Sequence, residues 1–172
     1  MKTLVIHPFD LTTGFLEDIY YGKQYTVFNV ENSSKGKLKQ AINEHDKIIM
    51  LGHGSADGLF SSKQDRFIID SDLVYLLREK ILVGIWCYAV DFAHKYKLKG
   101  LFSGMIISEM DEAYLNNIEA TEKEIHQQNT DFAKAIRDIE AFENKQSVLY
   151  FKQKYKGNSD VRNFNRERIY YI

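Results

Sequence analysis

Two nearly uninterrupted apolar runs, Lys47–Leu51 (KIIML) and Ile81–Trp86 (ILVGIW), constrain this chain more than any other feature. Each is short for a buried helix and bounded by turn residues. A half-exposed strand alternates apolar with polar side chains, so an unbroken run implies a strand covered on both faces. That is the condition of a parallel sheet between layers of helices. Three further runs join them: Thr3–His7 (TLVIH), which Pro8 ends by removing a backbone donor, Tyr25–Val30 (YTVFNV) and Leu101–Ser108 (LFSGMIIS).

Helical spacing fills the intervals. Thr12–Tyr21 is periodic through Phe15 and Ile19, and Ser34 is placed to cap a helix over Lys35–His45. Leu73–Glu79 follows a Ser71 or Asp72 cap, and Asp91–Lys97 is a short helix with Gly100 as its stop. Ser108 or Asp111 starts another. From Thr121 to about Lys154 the pattern is mostly helical, with Ile125, Phe132, Ile136 and Ile139 as the buried stripe, until Gly157-Asn158-Ser159 breaks it. Arg166–Ile172 reads as an edge strand or a docked end. Gly58–Phe60 and Arg66–Ile69 read as a small β-hairpin inserted after the third strand. The alternation predicts an α/β fold, a mostly parallel sheet with helices on both faces. The expected organisation is a single domain over 1–172, with a sheet core to 115 and a helical C-terminal region from 116 packed on it.

Composition narrows the partners. With 23 basic against 24 acidic residues the net charge is −1, which gives no electrostatic reason to expect nucleic acid or an anionic membrane. No apolar stretch approaches the roughly 20 residues that span a bilayer. One cysteine excludes an intramolecular disulfide and suits a reducing compartment, so a cytoplasmic location is expected. No glycine-rich phosphate loop follows the first strand, and one Cys with scattered His makes no zinc signature, so no cofactor or metal is expected.

In open α/β sheets, functional groups gather beyond the carboxyl ends of the strands. The third strand ends at Gly52-His53-Gly54-Ser55 and the fourth at Cys87. If those strands are neighbours, an imidazole and a thiol meet. The imidazole can then take the thiol proton and make the sulfur a nucleophile. Such chemistry also needs backbone N–H groups facing the developing oxyanion, and Gly54 and Cys87 are the candidate donors. Singly, Cys87 reads as a buried small hydrophobe and His53 as a turn residue. His7 ends the first strand on the same rim. His45, His94 and His126 lie on polar helical stretches and read as solvated. A different α/β protein, whose Gly52–Ser55 turn binds a small anion, is the remaining alternative.

The segment IIMLGHGSADGLF followed by ILVGIWCYA resembles the caspase-like (clan CD) cysteine peptidases, and most closely the bacterial CHAT-type domains. In that group an apolar strand ends in His-Gly and a later one ends just before the catalytic Cys; here those residues are His53-Gly54 and Cys87. GLFSGMIISEMDEA is similar to the next strand and the loop that helps form the S1 pocket. Trp86 stands where many CHAT members carry a small residue, and the caspase pentapeptide is absent. The resemblance implies a cysteine endopeptidase with a Cys–His dyad acting on a peptide or protein substrate. Its rival is an inactive interaction or signalling module with a protein partner or regulator. His7, Trp86, Asp91, Ser108, Glu109 and Asp111 are the expected substrate-binding residues. The acidic group Glu109, Asp111 and Glu112, with Asp91, would favour a basic P1 side chain. Acidic residues in a first helical turn have a plainer origin in the helix dipole.

Overall fold

The computed structural model describes residues 1–139, 142 and 144–172. Its strands are β1 (Thr3–Ile6), β2 (Thr26–Phe28), β3 (Lys47–Leu51), β4 (His53–Ser55), β5 (Gly58–Ser61), β6 (Arg66–Ile69), β7 (Ile81–Ile85), β8 (Gly100–Ser103) and β9 (Ile169–Tyr171). The α-helices are α1 (Lys35–Asn43), α2 (Val74–Leu77), α3 (Ala89–Tyr96), α4 (Met110–Leu115), α5 (Glu122–Arg137), α6 (Gln146–Lys154) and α7 (Asp160–Arg166). A 3-10 helix covers Gly14–Ile19.

Six strands form one sheet in the order β2-β1-β3-β7-β8-β9, parallel except for the last pair. The apolar runs are strands buried on both faces, as their lack of alternation requires: every residue of β3 is buried. Successive side chains point to opposite faces. Leu4, Ile6, Ile48, Met50 and Leu82 therefore pack with Leu38 and Ile42 of α1, Leu77 of α2 and Phe92 of α3. Val5, Ile49, Leu51, Val83, Ile85 and Leu101 pack with Leu16 and Ile19 of the 3-10 helix, Phe132 and Ile136 of α5 and Phe151 of α6. Each of these fully buried aliphatic side chains contributes about 1.5–3 kcal/mol of transfer free energy. The two faces are thus two hydrophobic layers of one α/β sandwich.

Several expectations shift in detail. The pair β5 and β6 is the anticipated hairpin, but His53–Ser55 is not a turn: it is a third strand, antiparallel to β5. Gly52, at φ 138°, is the hinge that swings the chain from the large sheet into this small one. Within Thr12–Tyr21 the helical spacing is realised as a 3-10 helix over Gly14–Ile19. After β6 a short 3-10 helix at Ser71–Leu73, capped by Asp70 whose side chain accepts from Asp72 N–H, leads into α2, which has no side-chain cap of its own, so neither Ser71 nor Asp72 is the cap. Gly100 opens β8, and the left-handed residue that stops α3 is Lys97. The strand anticipated through Ser108 ends at Ser103, and α4 starts behind Glu109, in a reciprocal capping box with Glu112.

The helical pattern after Thr121 divides into α5 and α6; its positions 140, 141 and 143 lie outside the described residues. Ile125, Phe132, Ile136 and Ile139 are all buried. The tail is an edge strand, so the C-terminal region closes the sheet as well as covering it. His45 is not solvated: it is buried and its Nδ1 lies 2.7 Å from the Ala41 carbonyl oxygen. His94 and His126 are exposed.

Candidate functional site

Parallel pairing of β3 with β7 aligns Leu51 with Ile85. The ladder runs one step further, through Gly52 N–H donating to Ile85 O at 3.1 Å. His53 and Cys87 each stand two residues beyond the aligned pair, so the register brings the segments that carry them to the same carboxyl rim of the sheet. His7 follows β1 on the same rim. Beyond β7 the chain is pinned to β8: Ser103 Oγ accepts from Trp86 N–H at 3.0 Å and donates to Trp86 O at 2.8 Å. Tyr88, immediately after Cys87, has φ 68° and starts α3. A non-glycine residue in that left-handed region costs on the order of 1–2 kcal/mol. Cys87 thus sits on a sharp, strained strand-to-helix turn, where such strain commonly accompanies function.

His53 is held from its Nε2 side. Thr12 Oγ1 lies 2.6 Å from Nε2 and Asp10 Oδ1 lies 3.5 Å from it. Thr12 Oγ1 donates to Asp10 Oδ1 at 2.7 Å, and Ser62 Oγ donates to Asp10 Oδ2 at 2.6 Å. The Ser62 hydrogen bond, followed by those from Thr12, holds the Asp10 carboxyl well below the usual carboxylate range. It is therefore a fixed anion at any physiological pH.

Cys87 is mostly buried, and its thiol does not bond to His53. It donates to Ile106 O at 3.7 Å and faces Glu112 Oε1 at 3.9 Å. Burial, with the Glu112 carboxylate as a further cause, pushes the thiol up to about 11. The other oxygen of Glu112 is fully engaged, accepting from Ser108 N–H at 2.6 Å, Ser108 Oγ at 3.0 Å and Glu109 N–H at 3.1 Å. Burial and then the Glu112 charge raise the Glu109 carboxyl, while His53 pulls it down. Glu109 is within electrostatic reach of both His53 and Cys87.

The loop carrying Ile106–Glu109 is gripped from behind by buried amides. Asn165 Oδ1 accepts from Ile107 N–H at 2.7 Å, and the Ile107 carbonyl accepts from Gln128 at 2.9 Å and Asn165 at 2.8 Å. Asn129 donates to Ser108 O at 2.9 Å, and Tyr155 OH donates to Gln128 Oε1 at 2.6 Å. Such fully satisfied buried networks rigidify what they hold. In front of the loop lies an open cleft of about 500 Å³, bordered by Thr12, Ser108, Glu109 and Glu122, with Leu11 and Phe15 supplying apolar wall.

The structure gathers His53, Cys87, Ser108 and Glu109 around this rim and distributes the other expected residues differently. Trp86 is not a substrate-binding residue as expected: it is fully buried, and its Nε1 donates to Ser55 O at 3.0 Å, so it offers no surface to a substrate. It is a prop under β4. A Cβ on Gly54 would lie 2.2 Å from Trp86 Cδ1 and 2.4 Å from Gly58 O, so packing against the indole requires glycine there. His7 is mostly buried, between Tyr20 OH (3.1 Å) and Thr13 Oγ1 (3.4 Å), and burial holds it down to about 4. Asp91 and Asp111 are exposed in the first turns of α3 and α4, the ordinary place for helix-dipole partners. Glu112 is spent on its own loop and the thiol. Gly52–Ser55 is no open anion cradle, since the Gly52 amide is taken by Ile85 O and the next three residues form a strand.

Asp10, Thr12, Ser62, Gln128 and Asn165 were not singled out from sequence. The only local sign was Asp10-Leu11-Thr12, an Asx-turn pattern that occurs in many loops. Among the described residues no group of three or more His, Cys, Asp or Glu side chains is gathered to hold a metal ion, and no helix is long and apolar enough to cross a membrane. Comparison with protein-family models and with curated proteins finds no match.

Proposed function

We propose that this protein is a caspase-like cysteine endopeptidase, with Cys87 as nucleophile and His53 as base and acid. The observation that carries the reading is the register: β3 and β7 are parallel neighbours, so the segments that follow them, carrying His53 and Cys87, leave the sheet at the same rim. The strained turn at Tyr88 and the cleft beside Thr12 and Glu109 support it. The resting thiol is protonated, so attack requires proton transfer to His53 when the substrate carbonyl arrives, as an adjacent general base allows. The sulfur forms a thioester, the leaving amine takes the proton, and water then hydrolyses the thioester. Gly54 and Cys87 N–H groups are the proposed oxyanion donors.

The cleft favours a basic P1 side chain. Glu109 and Glu122 line it together with His126, Leu11 and Phe15 suit an aliphatic stem, and the cleft adjoins the His53 side through Thr12 without itself being lined by His53 or Cys87. The test is hydrolysis of fluorogenic peptide amides with Arg, Lys or Asp at P1. Cleavage after Arg or Lys that disappears in both Cys87→Ala and His53→Ala supports the proposal. Hydrolysis that survives either substitution sinks it.

A second reading, a non-catalytic interaction module of the same fold, is favoured by one specific observation: the thiol is half-buried and bonded to Ile106 O rather than to His53. Failure of every amide and ester to acylate Cys87 would select it.

A further inference from the structure

We infer that Asp10, acting through the hydroxyl of Thr12, positions His53 and decides which imidazole nitrogen serves as the base; the inference rests on the proposed dyad. A threonine hydroxyl carries one hydrogen. Here that hydrogen is committed, because Thr12 Oγ1 donates to Asp10 Oδ1 at 2.7 Å. At 2.6 Å from His53 Nε2, Thr12 Oγ1 is therefore an acceptor, and Nε2 carries the hydrogen. A neutral imidazole has only one N–H, so Nδ1 keeps the free lone pair. The proton leaving Cys87 goes to Nδ1, and the imidazolium then formed has Asp10 Oδ1 at 3.5 Å from its other nitrogen.

A local turn would account for Asp10 accepting from Thr12 N–H at 3.0 Å. It does not account for the contact to His53, which lies 41 residues away. Nor does it account for Ser62 Oγ, which reaches Asp10 Oδ2 from the connection between β5 and β6. Three segments converge to aim one carboxylate at the back of one imidazole. Asp10 does not touch the sulfur, so it is a positioning residue.

Wild type, Asp10→Asn, Thr12→Val and Thr12→Ser decide the matter, with Cys87→Ala as blank and His53→Ala as control. The readouts are turnover of p-nitrophenyl acetate and the imidazole 15N shifts of His53, which report the tautomer without any activity. The expected wild-type tautomer is Nε2–H. In Thr12→Val that preference is lost and kcat falls roughly tenfold with KM unchanged, the worth of one hydrogen bond in a charged chain; Asp10→Asn lowers kcat similarly. Thr12→Ser, which restores the hydroxyl, recovers both the tautomer and several-fold of the turnover. If Thr12→Val does not fold, the Thr12→Ser and Asp10→Asn comparison carries the same decision. An Nδ1–H tautomer in wild type, or a tautomer and kcat unmoved by both Asp10→Asn and Thr12→Val, overturns the inference. Turnover unaffected by His53→Ala overturns the dyad instead, and the 15N shifts then still judge the Asp10–Thr12 contact on its own.

Discussion

Cys87 should alkylate slowly at rest. Burial, with Glu112 as a further cause, raises its thiol from 9.0 to about 11. At pH 8 about one sulfur in a thousand is then thiolate, against about one in ten for an unperturbed thiol, a deficit of about a hundredfold. A more basic thiolate is intrinsically more nucleophilic, and a Brønsted slope near 0.4–0.5 recovers roughly tenfold. The expected net effect is about a tenfold lower second-order rate with iodoacetamide than a model peptide thiol, and burial slows it further. Because burial is the first cause and Glu112 a lesser one, Glu112→Gln should recover only part of that tenfold, about threefold or less. The assay is alkylation followed by mass spectrometry from pH 6 to pH 10. A rate in wild type equal to or above the model thiol at pH 8 would refute the protonated resting state.

Other expectations follow from the same geometry. His7 ionises less readily folded than unfolded, from 6.5 to about 4, so its stabilising effect is complete above pH 6.5 and fades as pH falls through 4. The full effect is about 3 kcal/mol. Urea denaturation at pH 7 and pH 4.5 should show a smaller pH difference in His7→Gln than in wild type, and an equal difference would count against it. Gly54→Ala places a methyl group on Trp86 and the Gly58 carbonyl and should cost about 1–3 kcal/mol in urea titration; a loss below about 0.5 kcal/mol would mean β4 moves freely off the indole. Gln128→Leu strips partners from the Ile107 carbonyl, Asn165 and Tyr155, and should destabilise by roughly 2 kcal/mol or more. Wild-type thermal stability in that variant would show that the amide network does not hold the loop.

The strands were legible because burial on both faces writes itself into the sequence as unbroken apolar runs such as KIIML, whose strand spans the residues read for it. Helix ends were less legible. Gly100 looked like a stop and proved to start β8, while Lys97 adopts the left-handed conformation that glycine usually takes. His53 and Cys87 were legible as the residues that follow two such runs. Their surroundings were not. Trp86 was expected among the substrate-binding residues, yet Gly54 and Gly84 leave room for its ring inside the fold. Asp10 and Ser62 meet only because β4 and β5 fold back over the loop after β1, and no local pattern encodes that contact. Gln128 and Asn165 occupy helix positions that look solvated until α5 and α7 close around Ile107.

Acid-quenched intact-mass measurement during p-nitrophenyl acetate turnover tests the central claim most directly. A dyad requires a single acetyl adduct that maps to Cys87, forms in wild type and fails to form in His53→Ala. No adduct on Cys87 in wild type, or one that forms equally fast without the His53 imidazole, would contradict it.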